Sequence, residues 1–248
     1  MQPFRYAHAE GADWREIADD CLGQIGPVPG GVNLGFLYVT DSLADELGEL
    51  LAYLADDTGV KEWVGAVGIG ICATGAEYYE EPAVALMLGE FPVGSFRVFP
   101  SVVKDMDSFD AHNRDWIKVH QPMLALVHGD TVTADTEDLI QQLAARTTTG
   151  FLVGGLASSR GTNYTIANGL AQGGFSGVLF GQDVGLITRL SQGCTPIGPH
   201  HTITSAQRNI LMTLDGRPAL DVLKADIGEE LSRDLMRIGA TIFVGLPI

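Results

Sequence analysis

Apolar positions recur along the chain in two rhythms, one helical and one extended. Trp14, Ile17, Cys21, Leu22 and Ile25 are spaced by three and four residues, which predicts a short helix with one apolar face. Cys21 lies on that face and is expected to act as a small buried hydrophobe. "GPVPGG" then interrupts the pattern and predicts a hinge, so residues 1–32 form a helical lead-in.

Beyond residue 33 the pattern repeats. "FLYVTDSLADELGELLAYLADDTGVKEWVGA" (36–66) and "ALVHGDTVTADTEDLIQQLAARTTTGFLVGG" (125–155) align without a gap, Asp41 with Asp130 and Leu37 with Leu126, 89 positions apart. Each opens on an apolar strand, turns at the aspartate and enters a helix. Leu43, Leu47, Leu50, Leu51 and Leu54 form one helical stripe; Val132, Leu139, Ile140 and Leu143 form the other. Ser42 and Asp45 suggest a capping box, and Gly59 a C-terminal stop. A second strand follows in each copy and runs into a glycine-rich turn, "WVGAVGIGICATG" and "FLVGGLASSRG". Further strands are predicted at "AVALMLGEF", "FRVFPSV", "GVLFG" and "VGLITRL". The fold class is therefore α/β: internally duplicated strand–helix–strand–strand units, about 33–100 and 122–190, forming an α/β sandwich. Later, Ile210–Leu214 reads as a strand, Asp215-Gly216 as a turn and Pro218 as an early helix position, with a helix at about 229–238 and a last apolar strand.

Composition narrows the function classes. The 248 residues hold 31 acidic and 15 basic side chains, a formal charge of -16. Such a chain is repelled by nucleic-acid phosphates and anionic lipid, so neither is an expected partner. Three cysteines without a CxxC pair fit a reducing compartment, and no basic or apolar leader opens the chain, so a cytoplasmic location is expected.

Several motifs carry candidate chemistry. "GIGICA" (68–73) has dinucleotide-type spacing, but a polar turn and a strand follow where the fingerprint needs a helix. What remains is a small-sided bend at Gly70 whose amides can face a ligand. In the second copy Gly155, Ser158, Ser159 and Arg160 occupy the matching bend; hydroxyls, amides and a guanidinium there suit a carboxylate or phosphate. "GCTPIGPHHTIT" (193–204) brings Cys194 close to His200 and His201. Adjacent histidines point apart on a strand and no further Cys/His set completes a cage, so no metal or other cofactor is expected. Cys194 with His200 as nucleophile and base, in a hydrolase or transferase, stays an alternative, as does a protein-interaction scaffold.

The stretch "GCTPIGPHHTITSAQRNILMTLDGRPALDVL", with "FLYVTDSLAD", "VGAVGIGICATGAEYYEEPAVALML" and "FLVGGLAS", resembles the FIST (F-box and intracellular signal transduction) proteins. The resemblance implies a FIST N-terminal sensory domain over 33–218, the start of a truncated FIST C-terminal domain at 219–248, and non-covalent binding of a small metabolite such as an amino acid. It also implies Cys72 as a ligand contact and a signalling output protein as partner. The expected binding set is thus Gly70, Cys72, Gly155, Ser158, Arg160, Cys194 and His200, with no catalytic residue.

Overall fold

A computed structural model describes residues 4–130, 136–188, 196–233, 242–243 and 245. It divides into two units, 1–186 and 187–248.

The first unit opens with β1 (Arg5–Glu10), α1 (Trp14–Ile25), β2 (Leu34–Thr40), α2 (Leu47–Thr58) and β3 (Glu62–Gly68). A hairpin, β4 (Gly70–Ala73) and β5 (Ala76–Tyr79), and β6 (Ala83–Gly89) complete its first half. The second half runs β7 (Phe96–Val102), α3 (Asp107–His120), β8 (Leu124–Asp130), α4 (Thr136–Ala144), β9 (Leu152–Ala157), β10 (Thr165–Ala167), β11 (Leu170–Ala171) and β12 (Phe175–Phe180). One sheet has the order β1-β6-β2-β3-β10-β11 and the other β7-β12-β8-β9. Each contains one parallel pair, β2 with β3 and β8 with β9, joined through α2 and α4. The first four strands of one sheet follow the same order as the four of the other. β10 crosses from the second half to pair antiparallel with β3, Thr165 facing Ala66.

Among the described residues, three layers of apolar side chains build the body of this unit. Ile17, Cys21, Leu47, Leu50 and Leu54 pack with Leu37 and Val39 between the first sheet and its helices. Phe109, Leu139 and Leu143 pack with Phe99, Val127 and Phe175 between the second sheet and its helices. Leu34, Phe36 and Val64 meet Leu124, Val178 and Phe180 between the sheets. This is an α/β sandwich, as the alternating periodicities predict. Burial pushes the Cys21 thiol up to about 12, helped by the nearby Asp20 carboxylate, so it is an inert core group.

The structure corrects several local expectations. Residues 1–32 are not a separate lead-in: β1 pairs with β6, and α1 buries Ile17, Ala18, Cys21 and Ile25 in the first layer. The ungapped pairing of Leu37 with Leu126 joins a helix-facing residue to one facing the other sheet. A one-residue shift restores matching faces in the first strands, where a slip reverses every side chain. Phe36 then corresponds to Leu126, and Tyr38 to His128, the fifth residue of β2 and of β8. In β3 and β9 the original spacing holds. A Cβ on Gly65 would lie 1.7 Å from the Leu37 carbonyl oxygen, and one on Gly154 1.8 Å from that of Val127. The predicted Ser42–Asp45 box is not formed. A 3-10 turn covers Asp41–Leu43, Ser42 Oγ meets Thr40 Oγ1, and α2 begins later with Glu46 at its cap. Gly59 does stop α2 in the left-handed conformation, at φ 70°. "VGLITRL" is no strand over residues 184–188, where Ile187 is exposed.

The second unit holds β13 (Ile203–Gln207), β14 (Ile210–Leu214), β15 (Arg217–Pro218) and α5 (Ala219–Ser232). Asp215 and Gly216 adopt positive φ of 50° and 76°, forming the predicted tight turn. Pro218 caps α5, whose path is broken at Gly228 (φ 80°). The predicted helix at 229–238 and the final strand lie mainly outside the described residues.

Candidate functional site

Parallel strands deliver their following loops to one end of a sheet, and in open α/β layers that carboxyl end is where ligands gather. Here the two parallel pairs are brought together at their carboxyl ends. The bend after β3 and the bend after β9 are hydrogen-bonded to each other: Ile69 N–H donates to Ser158 Oγ at 3.2 Å, and Ser158 N–H to the Val67 carbonyl at 3.4 Å. Arg160, two residues further, donates its backbone N–H to Asp41 Oδ2 at 2.8 Å. Its guanidinium lies 3.8 Å from Asp41 and 3.7 Å from Glu80.

These contacts give Ser158 and Arg160 a role that the sequence alone does not reveal. Ser158 holds the residue just before β4, and Arg160 approaches the residue just after β5. The bend of the second half thus grips both stems of the β4–β5 hairpin. That hairpin lays Ile71 and Tyr78 on Ala83 and Ala85, two small residues of β6 that leave room for it, beside Tyr38. Tyr78 Oη is also 2.5 Å from His8 Nδ1 on β1. At the stem, a Cβ on Gly70 would stand 2.4 Å from the ring of exposed Tyr79, which would have to swing aside. Cys72 is an exposed free thiol on the same hairpin.

Inside the bends lies a buried polar seam between the sheets. Tyr38 Oη and His128 Nε2 are 3.0 Å apart. Burial pushes the imidazole down to about 4 and the phenol up to about 12, so both are neutral at physiological pH. Ser176 donates to Thr165 Oγ1 at 2.9 Å. Asp130 accepts from Asn163 Nδ2 at 3.3 Å and from Gly173 N–H at 3.1 Å. Gly155 pairs with His128 in register, and a Cβ built on it meets nothing within 4 Å. Among the described residues, Gly155 therefore sets no side chain beside the imidazole.

Two open grooves lie elsewhere, toward the amino ends of β2 and β3. One, about 580 Å³, runs between α2 and the β10–β11 hairpin past Leu51, Trp63 and Leu170. The other, about 440 Å³, passes Asn33, Glu62 and Arg97. Both are surface depressions, and several of their polar lining groups already have structural partners. Trp63 N–H donates to Asn168, Asn33 binds both backbone groups of Phe91, and Arg97 binds Asn113. The polar groups converge at the carboxyl end, which is why the site is placed there.

Of the predicted binding residues, Gly70, Cys72, Gly155, Ser158 and Arg160 are gathered on the two bends and their strands. His200 belongs to the second unit and is exposed. Cys194 lies outside the described residues. Sequence reasoning missed Tyr38, His128, Asp130 and Asn163, although Tyr38 and His128 each stand fifth in the first strand of a parallel pair.

In the second unit the neighbouring histidine is the engaged one. His201 Nδ1 is 2.6 Å from Asp215 Oδ2 and Nε2 is 2.9 Å from Asp226 Oδ2, tying the β14–β15 turn to α5. Bonds to both carboxylates raise its pKa, while the Asp215 carboxyl is lowered by His201 first and by the Thr202 N–H second. Among the described residues no group of histidine, cysteine and carboxylate side chains forms a metal site. Because folding raises the His201 pKa, its contribution is fully present below the unfolded value near 6.5 and is lost as pH rises through the raised one. An NMR titration of the His201 ring is expected to show a midpoint above 6.5, and Asp226→Asn to lower it. A midpoint at or below 6.5 in the unaltered chain would contradict the clamp.

No described helix is long and apolar enough to cross a membrane. A search of curated proteins returns no match to the chain. The family model of the FIST N domain matches residues 33–217, about three quarters of the sequence, and the chain belongs to this family of signal-transduction domains.

Proposed function

We propose that the chain is a cytoplasmic sensory domain that binds a small metabolite, an amino acid in the first instance, non-covalently where the two glycine-rich bends meet. The observation that carries this reading is the Ile69–Ser158 hydrogen bond, which joins the bend of one half to that of the other. A ligand seated there touches both halves at once, so its binding is felt by both sheets. Arg160 takes the ligand's acid group. Its guanidinium is about half exposed; the 3.7 Å contact with exposed Glu80 is of the weak, solvent-screened kind that an incoming carboxylate can replace, and Asp41, whose side chain is buried, lies 3.8 Å away. Gly70, Cys72 and Gly155 line the approach, and a signalling protein reads the outcome.

Titration calorimetry against an amino-acid panel is expected to show saturable heat, and Arg160→Ala to abolish it. Absence of heat with every carboxylate compound would overturn the reading.

A further inference from the structure

A buried polar atom without a partner is costly, and such atoms in a folded protein call for an explanation. Among the described residues three buried side-chain atoms have none: Ser95 Oγ, His128 Nδ1 and Asn163 Oδ1. The last two belong to the same seam. His128 is only 4% exposed, and Asn163 is bonded to Asp130, which follows His128 by two residues on β8. Residues two apart on a strand face the same way, so β8 turns His128 and the Asp130–Asn163 pair to one side. Gly155, beside His128 on β9, adds no side chain to that side.

The hydrogen-bonding roles of these atoms restrict what can satisfy them. Asn163 binds Asp130 through Nδ2, so its Oδ1 only accepts and requires an N–H or O–H. If the Tyr38 hydroxyl donates to His128 Nε2, then Nδ1 carries the imidazole proton and requires a carbonyl-type acceptor. A carboxamide supplies both. With it, the Tyr38 hydroxyl, both imidazole nitrogens and Asn163 Oδ1 are all satisfied. A carboxylate would answer Nδ1 but set oxygen against Asn163 Oδ1 beside the Asp130 carboxylate. An ammonium would answer Asn163 but needs the other imidazole tautomer, which leaves the Tyr38 hydroxyl hydrogen without this acceptor.

We propose that His128 Nδ1 and Asn163 Oδ1 form a subsite for an uncharged carboxamide group of the ligand, entered past Gly155. The inference rests on the small-ligand reading above and adds the chemistry of the ligand's inner end.

The test uses the 15N-labelled full chain and observes the His128 imidazole nitrogens by NMR during titration with acetamide, acetate and methylammonium. The expected result is the Nδ1–H tautomer and a saturable shift with acetamide alone. That shift is lost in Gly155→Val, diminished in the milder Gly155→Ala, and kept in the remote Gly23→Ala. An Nε2–H tautomer, no response to acetamide, an equal response to all three probes, or an undiminished response in Gly155→Val would overturn the subsite, leaving an ordered water as the partner of both atoms. Amino-acid heat that depends on Arg160, with a silent His128, would sink this inference alone. An acetamide shift without heat from the panel would sink the Arg160 reading and leave the subsite standing.

Discussion

Gly65→Ala is expected to destabilise the chain by about 4 kcal/mol or more, a large share of the roughly 5–15 kcal/mol that holds an ordinary domain folded. The added methyl would sit 1.7 Å from the Leu37 carbonyl oxygen, inside the parallel β2–β3 pair. No rotamer relieves this clash, because both partners are backbone. The strands must separate, and Val64, Trp63 and Leu37 lose their packing with them. Gly154→Ala is expected to act in the same way on β8 and β9, where φ at Gly154 is 143°. Gly23→Ala is the matched control. It lies in α1 with nothing within 4 Å of a built Cβ, and is expected to stabilise by roughly 0.5–1 kcal/mol through helix propensity. Urea unfolding followed by circular dichroism measures all three. Equal midpoints for Gly65→Ala and the unaltered chain would mean that the strand pairing described here is wrong.

The second large effect is a fall in stability on mild acidification. Burial holds the His128 imidazole at about 4, against an ordinary 6.5. Between these values the unfolded chain binds a proton that the folded chain refuses, so stability falls as pH is lowered through this window. The full difference corresponds to about 3 kcal/mol, with little solvent screening because the ring is buried. The Glu81 carboxyl, raised by its hydrogen bond to Glu10, works in the opposite sense and is present in both chains compared. His201 does not contribute in this window, since its own loss begins above 6.5. Denaturant midpoints measured from pH 7 to pH 4 are expected to drop steadily in the unaltered chain and to run nearly flat in His128→Asn. A flat profile in both would show that the imidazole is hydrated or charged in the fold.

The fold was legible where apolar spacing was clean. The first helix falls on residues 14–25, and the strands at 83–89, 96–102 and 175–180 match the apolar runs that predicted them. It was obscure where a polar residue does apolar work. α3 carries Phe109, Trp116 and Ile117 on its inner side, but Asn113 fills the remaining buried position, bonding the Phe109 carbonyl and Arg97. That substitution breaks the stripe by which a helix is recognised. β1 was hidden for a related reason, since its helix-facing residues are only Ala7 and Ala9.

The site divides in the same way. The glycine-rich bends announce themselves by composition, and Ser158 and Arg160 were found with them. Their grip on the β4–β5 hairpin depends on partners 80 and 89 residues away, which no local pattern encodes. Tyr38 and His128 were invisible for two reasons. Each looks like an ordinary strand residue, and an alignment one residue out of step sets them on opposite faces. In the second unit, attention fell on His200 although His201 makes the contacts. Neighbouring residues on an extended chain point apart, and only the placement of Asp226 on α5 decides between them.

The crossing of β10 has a consequence for synthesis. Thr165 is made 99 residues after Ala66, the residue it faces. While the ribosome is still translating the second half, the border of β3 has no partner strand, and an unpaired border of apolar residues is a template for association with other chains. The emerging first half is therefore expected to need shielding from association, and separate expression of the two halves is expected to give aggregated products.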